Sequence, residues 1–286
     1  MAGVRAFAPA KINLALHVGP PRADGRHELA SIVAFCDAGD WVELEEGPAG
    51  LTVTGPFAAS LANETDNLVT RALALVAEGR SVRVKLEKNL PVASGIGGGS
   101  SDAAAALRAA RTLLGLSLSD AELASLAAKL GSDLPACVWA RTAIMRGAGE
   151  DTEALALSDL FAVLVNPGVS LSTAAVYRRF DERAIWGDLD LKPIGKNPIA
   201  SLVSMRNDLE SAGADLAPAV SFVISTLRQF EGVRLARMSG SGATCFALVG
   251  DRVTAHGLAE RLRIAHPHWW VYPTRLGAID VVPRRV

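Results

Sequence analysis

The sequence predicts an α+β fold in two parts, and three observations carry that expectation. Val82, Val84 and Leu86 alternate with polar residues across Ser81–Leu86, the period of a half-buried strand. Similar short segments interleave with Ala/Leu-rich stretches at helical spacing, Leu68–Glu78 and Asp102–Leu114. In the second half the order strand, helix, helix, strand, helix, strand suggests an α+β sandwich. Gly, Glu and Asp become frequent near Gly147–Ser158, and this seam divides the chain into expected domains 1–153 and 154–286.

Strands are expected in the first part at Val4–Phe7, Ile12–Val18, Asp40–Glu45, Leu51–Thr54 and Ser81–Leu86. A third helix is expected at Asp120–Leu130, where Ser119 caps the start, Glu122 completes a capping box and Gly131 closes the end. The second part reads as strand Leu160–Val165, helices Thr173–Arg179 and Leu216–Gln229, strand Cys245–Val249, helix Val253–Ala265 and strand Trp269–Thr274. Pro218 suits a first helical turn, where its missing N–H costs nothing. Asp181–Asn197 reads as a loop.

Composition narrows the function. Half of the 286 residues are hydrophobic, enough for a substantial core. The net charge of −1 lacks the basic excess of a nucleic-acid binder. Cys36, Cys137 and Cys245 are far apart and have apolar neighbours, which reads as buried reduced thiols and a cytoplasmic protein. No apolar run reaches membrane-spanning length, and the first residues do not resemble a secretory leader. The five histidines form no convincing metal cluster. The expected partner is a small molecule, with the chain a monomer or homodimer.

The chemistry concentrates in Leu90-Pro91-Val92-Ala93-Ser94-Gly95-Ile96-Gly97-Gly98-Gly99-Ser100-Ser101-Asp102. A glycine-rich turn lets backbone N–H groups point inward without Cβ obstruction. The first turn of the following helix adds free N–H groups and the positive end of its dipole. Together they form a phosphate site. The loop lacks the Lys-Ser/Thr of a Walker loop, and Ser100 stands where the dinucleotide fingerprint needs its third glycine. The alternative is a flexible linker, which would not normally be fenced by a strand and an Ala/Leu helix.

Three segments occur in the order of the GHMP kinase motifs: Ala8-Pro9-Ala10-Lys11-Ile12-Asn13-Leu14, the loop Pro91–Asp102, and Ser239–Thr244. The chain resembles that superfamily from Ala8 to about Gly277. Asp24-Gly25-Arg26-His27, Gly131-Ser132-Asp133-Leu134-Pro135 and Arg206-Asn207-Asp208-Leu209-Glu210 narrow the resemblance to the branch acting on 4-diphosphocytidyl-2-C-methyl-D-erythritol. That resemblance implies ATP-dependent phosphorylation of the substrate's 2-hydroxyl, a step of the non-mevalonate isoprenoid pathway, with Mg²⁺. It also implies an N-terminal α/β domain, a C-terminal ferredoxin-like α+β domain, and an active site in the cleft between them.

Read alone, Asp133 before Leu134-Pro135 is a good helix N-cap, and Lys11 in an apolar strand is a surface lysine or a buried ion-pair partner. The resemblance makes Asp133 the general base and puts Lys11 beside it, holding the carboxylate ionised and neutralising the transferring phosphoryl group. It puts Pro91, Gly95, Gly97, Gly98, Gly99, Ser100 and Ser101 around the ATP phosphates, with Ser100 or Ser101 able to meet the metal. Asn67 falls near the adenine, or alternatively caps a helix. Asn13, Gly240 and Ser241 fall on the substrate. His27 would read the cytosine edge, with Tyr177 stacking on it and Thr173 nearby. Arg26 departs from the branch, which often has Tyr there; a guanidinium also stacks on a base. Asp102 reads as a helix cap, and Asp208 with Glu210 as capping or surface groups rather than a metal pair. The rivals are a sister kinase for homoserine or mevalonate, a non-catalytic nucleotide sensor and, more weakly, an RNA-binding module.

Overall fold

The computed structural model describes residues 3–62, 64, 66–77 and 79–286. Glu78, the expected end of the first long helix, lies outside them. Among the described residues eleven strands form one connected sheet: β1 (Val4–Pro21), β2 (His27–Glu46), β3 (Gly50–Thr54), β4 (Val82–Glu87), β5 (Ala143–Arg146), β6 (Asp151–Ala154), β7 (Leu160–Asn166), β8 (Leu235–Met238), β9 (Cys245–Val249), β10 (Trp270–Gly277) and β11 (Arg284–Arg285). The helices are α1 (Leu68–Ala74), α2 (Gly98–Leu114), α3 (Asp120–Ala128), α4 (Leu134–Trp139), α5 (Thr173–Asp181), α6 (Pro198–Val203), α7 (Glu210–Leu216), α8 (Pro218–Arg228) and α9 (Arg252–Ala265).

The strands run β11-β1-β2-β10-β7-β9-β8, with β4 and β5 also pairing with β2. Strands β10-β7-β9-β8, with α8 and α9, carry the order β7-α8-β8-β9-α9-β10, a ferredoxin-like βαββαβ unit. The sequence reading lacked β8, whose Leu235-Ala236-Arg237-Met238 carries a charge in mid-strand. Arg237 is nevertheless buried, and its guanidinium donates to the carbonyls of Leu14, Leu202 and Met205.

Two expected strands at the N-terminus are one. β1 continues through Pro9 because the pairing with β2 shifts register between Pro9 and Lys11, so the missing N–H falls at an irregularity. β2 begins thirteen residues before the expected Asp40, at His27. Its segment Ala30–Cys36 is buried on both faces, so no alternation marks it. The expected seam holds the short hairpin β5–β6. The helix expected at Leu216–Gln229 begins at Pro218, after a break at Ala217 that separates it from α7. Helix α3 has the Ser119–Glu122 capping box, but it ends at Ala128 with Lys129 as its cap, two residues before Gly131.

Three apolar clusters result. One packs α1–α4 on β1, β2 and β4; Ala103–Ala106, Ala109 and Ala110 let α2 lie close on the sheet. A second packs α5 and α7–α9 on β7–β10. The third joins them: Ile12, Leu14 and Ile32 meet Leu164, Phe246 and Leu248, with Leu90 and Ile96 from the glycine loop.

Candidate active site

The glycine loop is fixed by what surrounds it. Lys11 N–H donates to Ile96 O at 2.9 Å, using the donor freed by the irregularity in β1. Thr244 N–H donates to Ser94 O at 3.0 Å, and Ser239 Oγ donates to Gly95 O at 3.0 Å. The second and third motifs are therefore stitched together. Gly95 has φ +75°, and a Cβ there would lie 2.5 Å from Gly242 N. Asn207, in α7's approach, donates to the carbonyls of Met238 and Gly240, both at 2.8 Å. Asp208 accepts from Val18 N–H and Glu210 from Met238 N–H, so these acids brace backbone and are not a metal pair.

Helix α2 starts four residues before the expected Asp102. Gly97 is its N-cap at φ +64°, and Gly98, Gly99 and Ser100 form the first turn. Their N–H groups have no partner within the helix. A Cβ on Gly99 would meet nothing within 4 Å, so the chain leaves open space over the helix start. That cradle fits a polyphosphate. Asp102 is not a cap. It is 2% exposed, and its Oδ2 accepts from Lys88 Nζ at 2.8 Å, while Lys88 also pairs with Asp40. Burial, and the second carboxylate beside it, push the Asp102 carboxyl up to about 8 despite the ammonium. Burial opposes the Lys88 charge, but the two carboxylates outweigh it and hold its pKa above the usual lysine value. The sequence reading missed this cluster; its only signal was a lysine at the end of a strand, just before the loop.

Lys11 Nζ donates to Asp133 Oδ2 at 2.8 Å. Lys11 is 3% exposed, whereas the Asp133 side chain is 41% exposed. Asp133 occupies the N-cap position of α4 but makes no capping hydrogen bond. Its carboxylate faces the lysine instead. Both residues line a cavity of about 470 Å³ with Asn13, Asn67, Pro91, Gly95, Gly97, Gly98, Gly99, Ser100, Thr173, Tyr177, Gly240 and Ser241.

Within it, Asn13 Nδ2 donates to Ser31 Oγ at 2.8 Å and Thr173 Oγ1 lies 3.0 Å from Ser241 Oγ. Asn67 does cap α1, accepting from Val69 N–H at 2.9 Å, yet still lines the cavity. Ser101 does not line it; its hydroxyl donates to Cys137 Sγ at 3.4 Å. Cys36, Cys137 and Cys245 are buried and free. Burial pushes the Cys137 thiol up to about 11. Among the described residues no group of three or more His, Cys, Asp or Glu could hold a metal, and no helix is long and apolar enough to cross a membrane.

A neighbouring cavity of about 370 Å³ is lined by Arg26, His27, Tyr177, Arg178 and Asp181. Tyr177 is common to both cavities, and burial raises its hydroxyl well above the usual range. His27 is buried, its ring 5.0 Å from that of Tyr177. Arg26 is exposed, with its guanidinium turned onto Asp24 at 2.8 Å. The sequence reading missed Asp181, the last residue of α5, because it took the helix to end at Arg179.

Residues 67–141 match the GHMP kinases N terminal domain, and residues 196–268 match the GHMP kinases C terminal family. A 4-diphosphocytidyl-2-C-methyl-D-erythritol kinase of Methylobacterium radiotolerans is 47% identical over 94% of this chain and 97% of its own. One from Paracoccus denitrificans is 47% identical over 93% of this chain and 94% of its own. A crystal structure of a 4-(cytidine 5'-diphospho)-2C-methyl-D-erythritol kinase, 33% identical, superposes with a TM-score of 0.80 over 96% of this chain and 100% of its own. Homoserine kinase from Cytophaga hutchinsonii shares the fold, with a TM-score of 0.68 at 18% identity over 99% of this chain and 97% of its own. The chain belongs to the 4-diphosphocytidyl-2-C-methyl-D-erythritol kinase family of GHMP kinases.

Proposed function

We propose that the protein transfers the γ-phosphoryl group of ATP to the 2-hydroxyl of 4-diphosphocytidyl-2-C-methyl-D-erythritol, giving the 2-phosphate and ADP. The reaction is a cytoplasmic step of the methylerythritol phosphate route to isoprenoids. One observation carries the reading: the Lys11–Asp133 pair and the open start of α2 share one cavity. An alcohol between them is within reach of both a base and a phosphate site.

Asp133 accepts the hydroxyl proton as the new P–O bond forms. Lys11, almost wholly buried, supplies a fixed positive charge beside that carboxylate and the transferring group. The first-turn N–H groups of α2, with Gly95, Gly97, Gly98 and Gly99, hold the phosphates, and Pro91 and Asn67 border the nucleotide. Asn13, Thr173, Gly240 and Ser241 orient the acceptor alcohol. His27, Tyr177 and Arg26 form the base pocket. Ser100 is the better metal ligand of the two serines, since the Ser101 hydroxyl is spent on Cys137. Bound Mg²⁺ would neutralise phosphate charge. Residues 1–153 then act as the nucleotide domain and 154–286 as its partner.

The test is ADP release with Mg²⁺ and ATP, offering the cytidylated alcohol beside homoserine, mevalonate and methylerythritol phosphate. Turnover confined to the cytidylated substrate is expected. Turnover with another alcohol alone would reassign the substrate, and silence with all four would point to a sensor.

A further inference from the structure

A separate cavity of about 400 Å³ lies along β8, the end strand of the sheet order. It shares no lining residue with the cavity of Lys11 and Asp133. Arg206, Arg228, Arg234 and Arg237 line it, with Glu210 as the one acid among its described residues. Arg206 is neutralised by Asp188 and Asp208. Arg228, Arg234 and Arg237 are in no ion pair among the described residues, so three positive charges stand against one negative. Elsewhere such groups are paired. Arg5, Arg275 and Arg284 line a cavity of about 680 Å³, and each meets a carboxylate.

The floor of the basic cavity is fixed. Arg237 is 6% exposed, and its Nη atoms donate to the carbonyls of Leu14, Leu202 and Met205. Its Nε–H takes no part in those bonds. Burial pushes the Arg237 guanidinium down to about 10; Glu210 opposes that and Arg228 adds to it. The carbonyls satisfy its hydrogen bonds but not its charge. Arg228 stands in the last turn of α8, where a cation suits the helix dipole, and reaches Ala236 O only at 3.5 Å. The dipole accounts for one arginine and not for three. Arg234 lies against Gly250, where a Cβ would be 3.0 Å from its Nη2.

Strand β8 adds a backbone donor. Ser239 N–H donates to Thr244 O on the side of β9, so alternate residues of the strand face the other way. Met238 N–H does so and meets Glu210 Oε2 at 2.9 Å. Ala236 N–H faces the same outer side, and Ala236 lines the cavity. With Met238 N–H taken by Glu210 and Ala236 O facing Arg228, this edge offers too few groups to pair with a peptide strand. One N–H among three guanidinium groups suits a compact anion.

We propose that this cavity is an anion site distinct from the catalytic one, which takes the phosphate or diphosphate group of a small molecule on Arg228, Arg234, Arg237 and Ala236 N–H. Guanidinium forks match the paired oxygens of a phosphoryl group. Val203, 52% exposed, and Leu235 line the same cavity and offer apolar contact to an ester chain.

The test titrates inorganic diphosphate and butyl diphosphate by calorimetry into the wild type and into the double variant Arg228→Ser, Arg234→Ser. Both side chains are exposed, so their loss leaves the core intact. The start of α2 also takes such anions, so the binding that disappears with the arginines is the quantity read. The wild type is expected to take up two equivalents and the variant one. Each arginine should be worth about tenfold in affinity at the lost site, and the pair about a hundredfold. Raised salt should weaken this site. Modification by phenylglyoxal, mapped by mass spectrometry, gives a second readout: diphosphate should protect Arg228 and Arg234 and leave the exposed Arg285 reactive. Tighter binding of the butyl ester at this site supports an ester as the ligand, and equal binding supports the free anion. Identical titrations of the two proteins overturn the proposal, as does equal modification of both arginines with and without diphosphate. A hexaglutamate peptide that binds here where neither diphosphate does overturns it in favour of a protein contact.

Discussion

Lys11 Nζ stands 2.8 Å from Asp133 Oδ2, although 122 positions separate the two residues in the chain. The contact is asymmetric. The lysine is enclosed by Gly97 and the sheet, while the carboxylate keeps an open side toward the cavity. A base needs that open side, and a buried counter-charge needs none.

Asp133→Asn should lower kcat by about 10²–10⁴, the usual contribution of a positioned general base. Nucleotide affinity by calorimetry should stay close to that of the wild type. Turnover at the wild-type level would remove Asp133 from the base role.

Lys11→Met keeps the stem and removes the charge. We expect kcat to fall about 10²–10³, as when one transition-state donor is lost. Lys11→Arg should not restore it, because a Cβ at Gly97 would already lie 3.2 Å from the Lys11 stem and a planar guanidinium needs more room. Recovery in the arginine variant would argue for a general charge effect.

Two glycines of one loop should respond in opposite ways. Gly99→Ala meets open space in a helix and should raise the melting temperature, in line with roughly 0.5–1 kcal/mol for Gly to Ala. The same methyl group fills the phosphate cradle and should weaken nucleotide binding about tenfold, or 1.4 kcal/mol. Gly95→Ala must move the third-motif backbone from a left-handed turn, so it should lower stability by about 1–3 kcal/mol. Equal effects on stability would show that the loop is slack.

Asp102 gives the pH dependence. Its folded-state carboxyl titrates near 8, above its value in the unfolded chain, so between about pH 4 and pH 8 the folded protein holds a proton that the unfolded chain has released. The stability this group contributes is complete below that window and is lost as pH rises through it. Denaturant melts should show the wild type losing stability relative to Asp102→Asn from pH 5 to pH 8. Parallel curves would refute it. Asp102→Ala should likewise cost more at pH 5 than at pH 8, and Lys88 keeps Asp40 as its partner in that variant.

Local signals survived into the structure where they were strong. The Ser119–Glu122 capping box, the β4 alternation and the first-turn Pro218 all sit where pattern and propensity put them. Patterns failed where burial was two-sided. The Ala30–Cys36 part of β2 is buried on both faces and carries no period, and β8 hides a buried arginine whose partners are the distant carbonyls of Leu14, Leu202 and Met205. The start of α2 was misread because glycines ordinarily break helices; here they are its first turn.

The sequence by itself determined the chemistry available: a glycine loop ahead of an alanine-rich helix, a lone lysine in an apolar strand, an aspartate before Leu-Pro, and three motifs in a family's order. Only the tertiary structure decided which of two roles each residue takes. Asp133 meets a lysine instead of capping a helix, Asp102 pairs with Lys88 instead of capping α2, and Ser101 turns to Cys137. The reason is physical. A cap, an ion pair and a metal ligand use the same few atoms, and a chain segment cannot choose among them. The choice falls to whichever partner the sheet register brings within about 3 Å, the reach of a hydrogen bond.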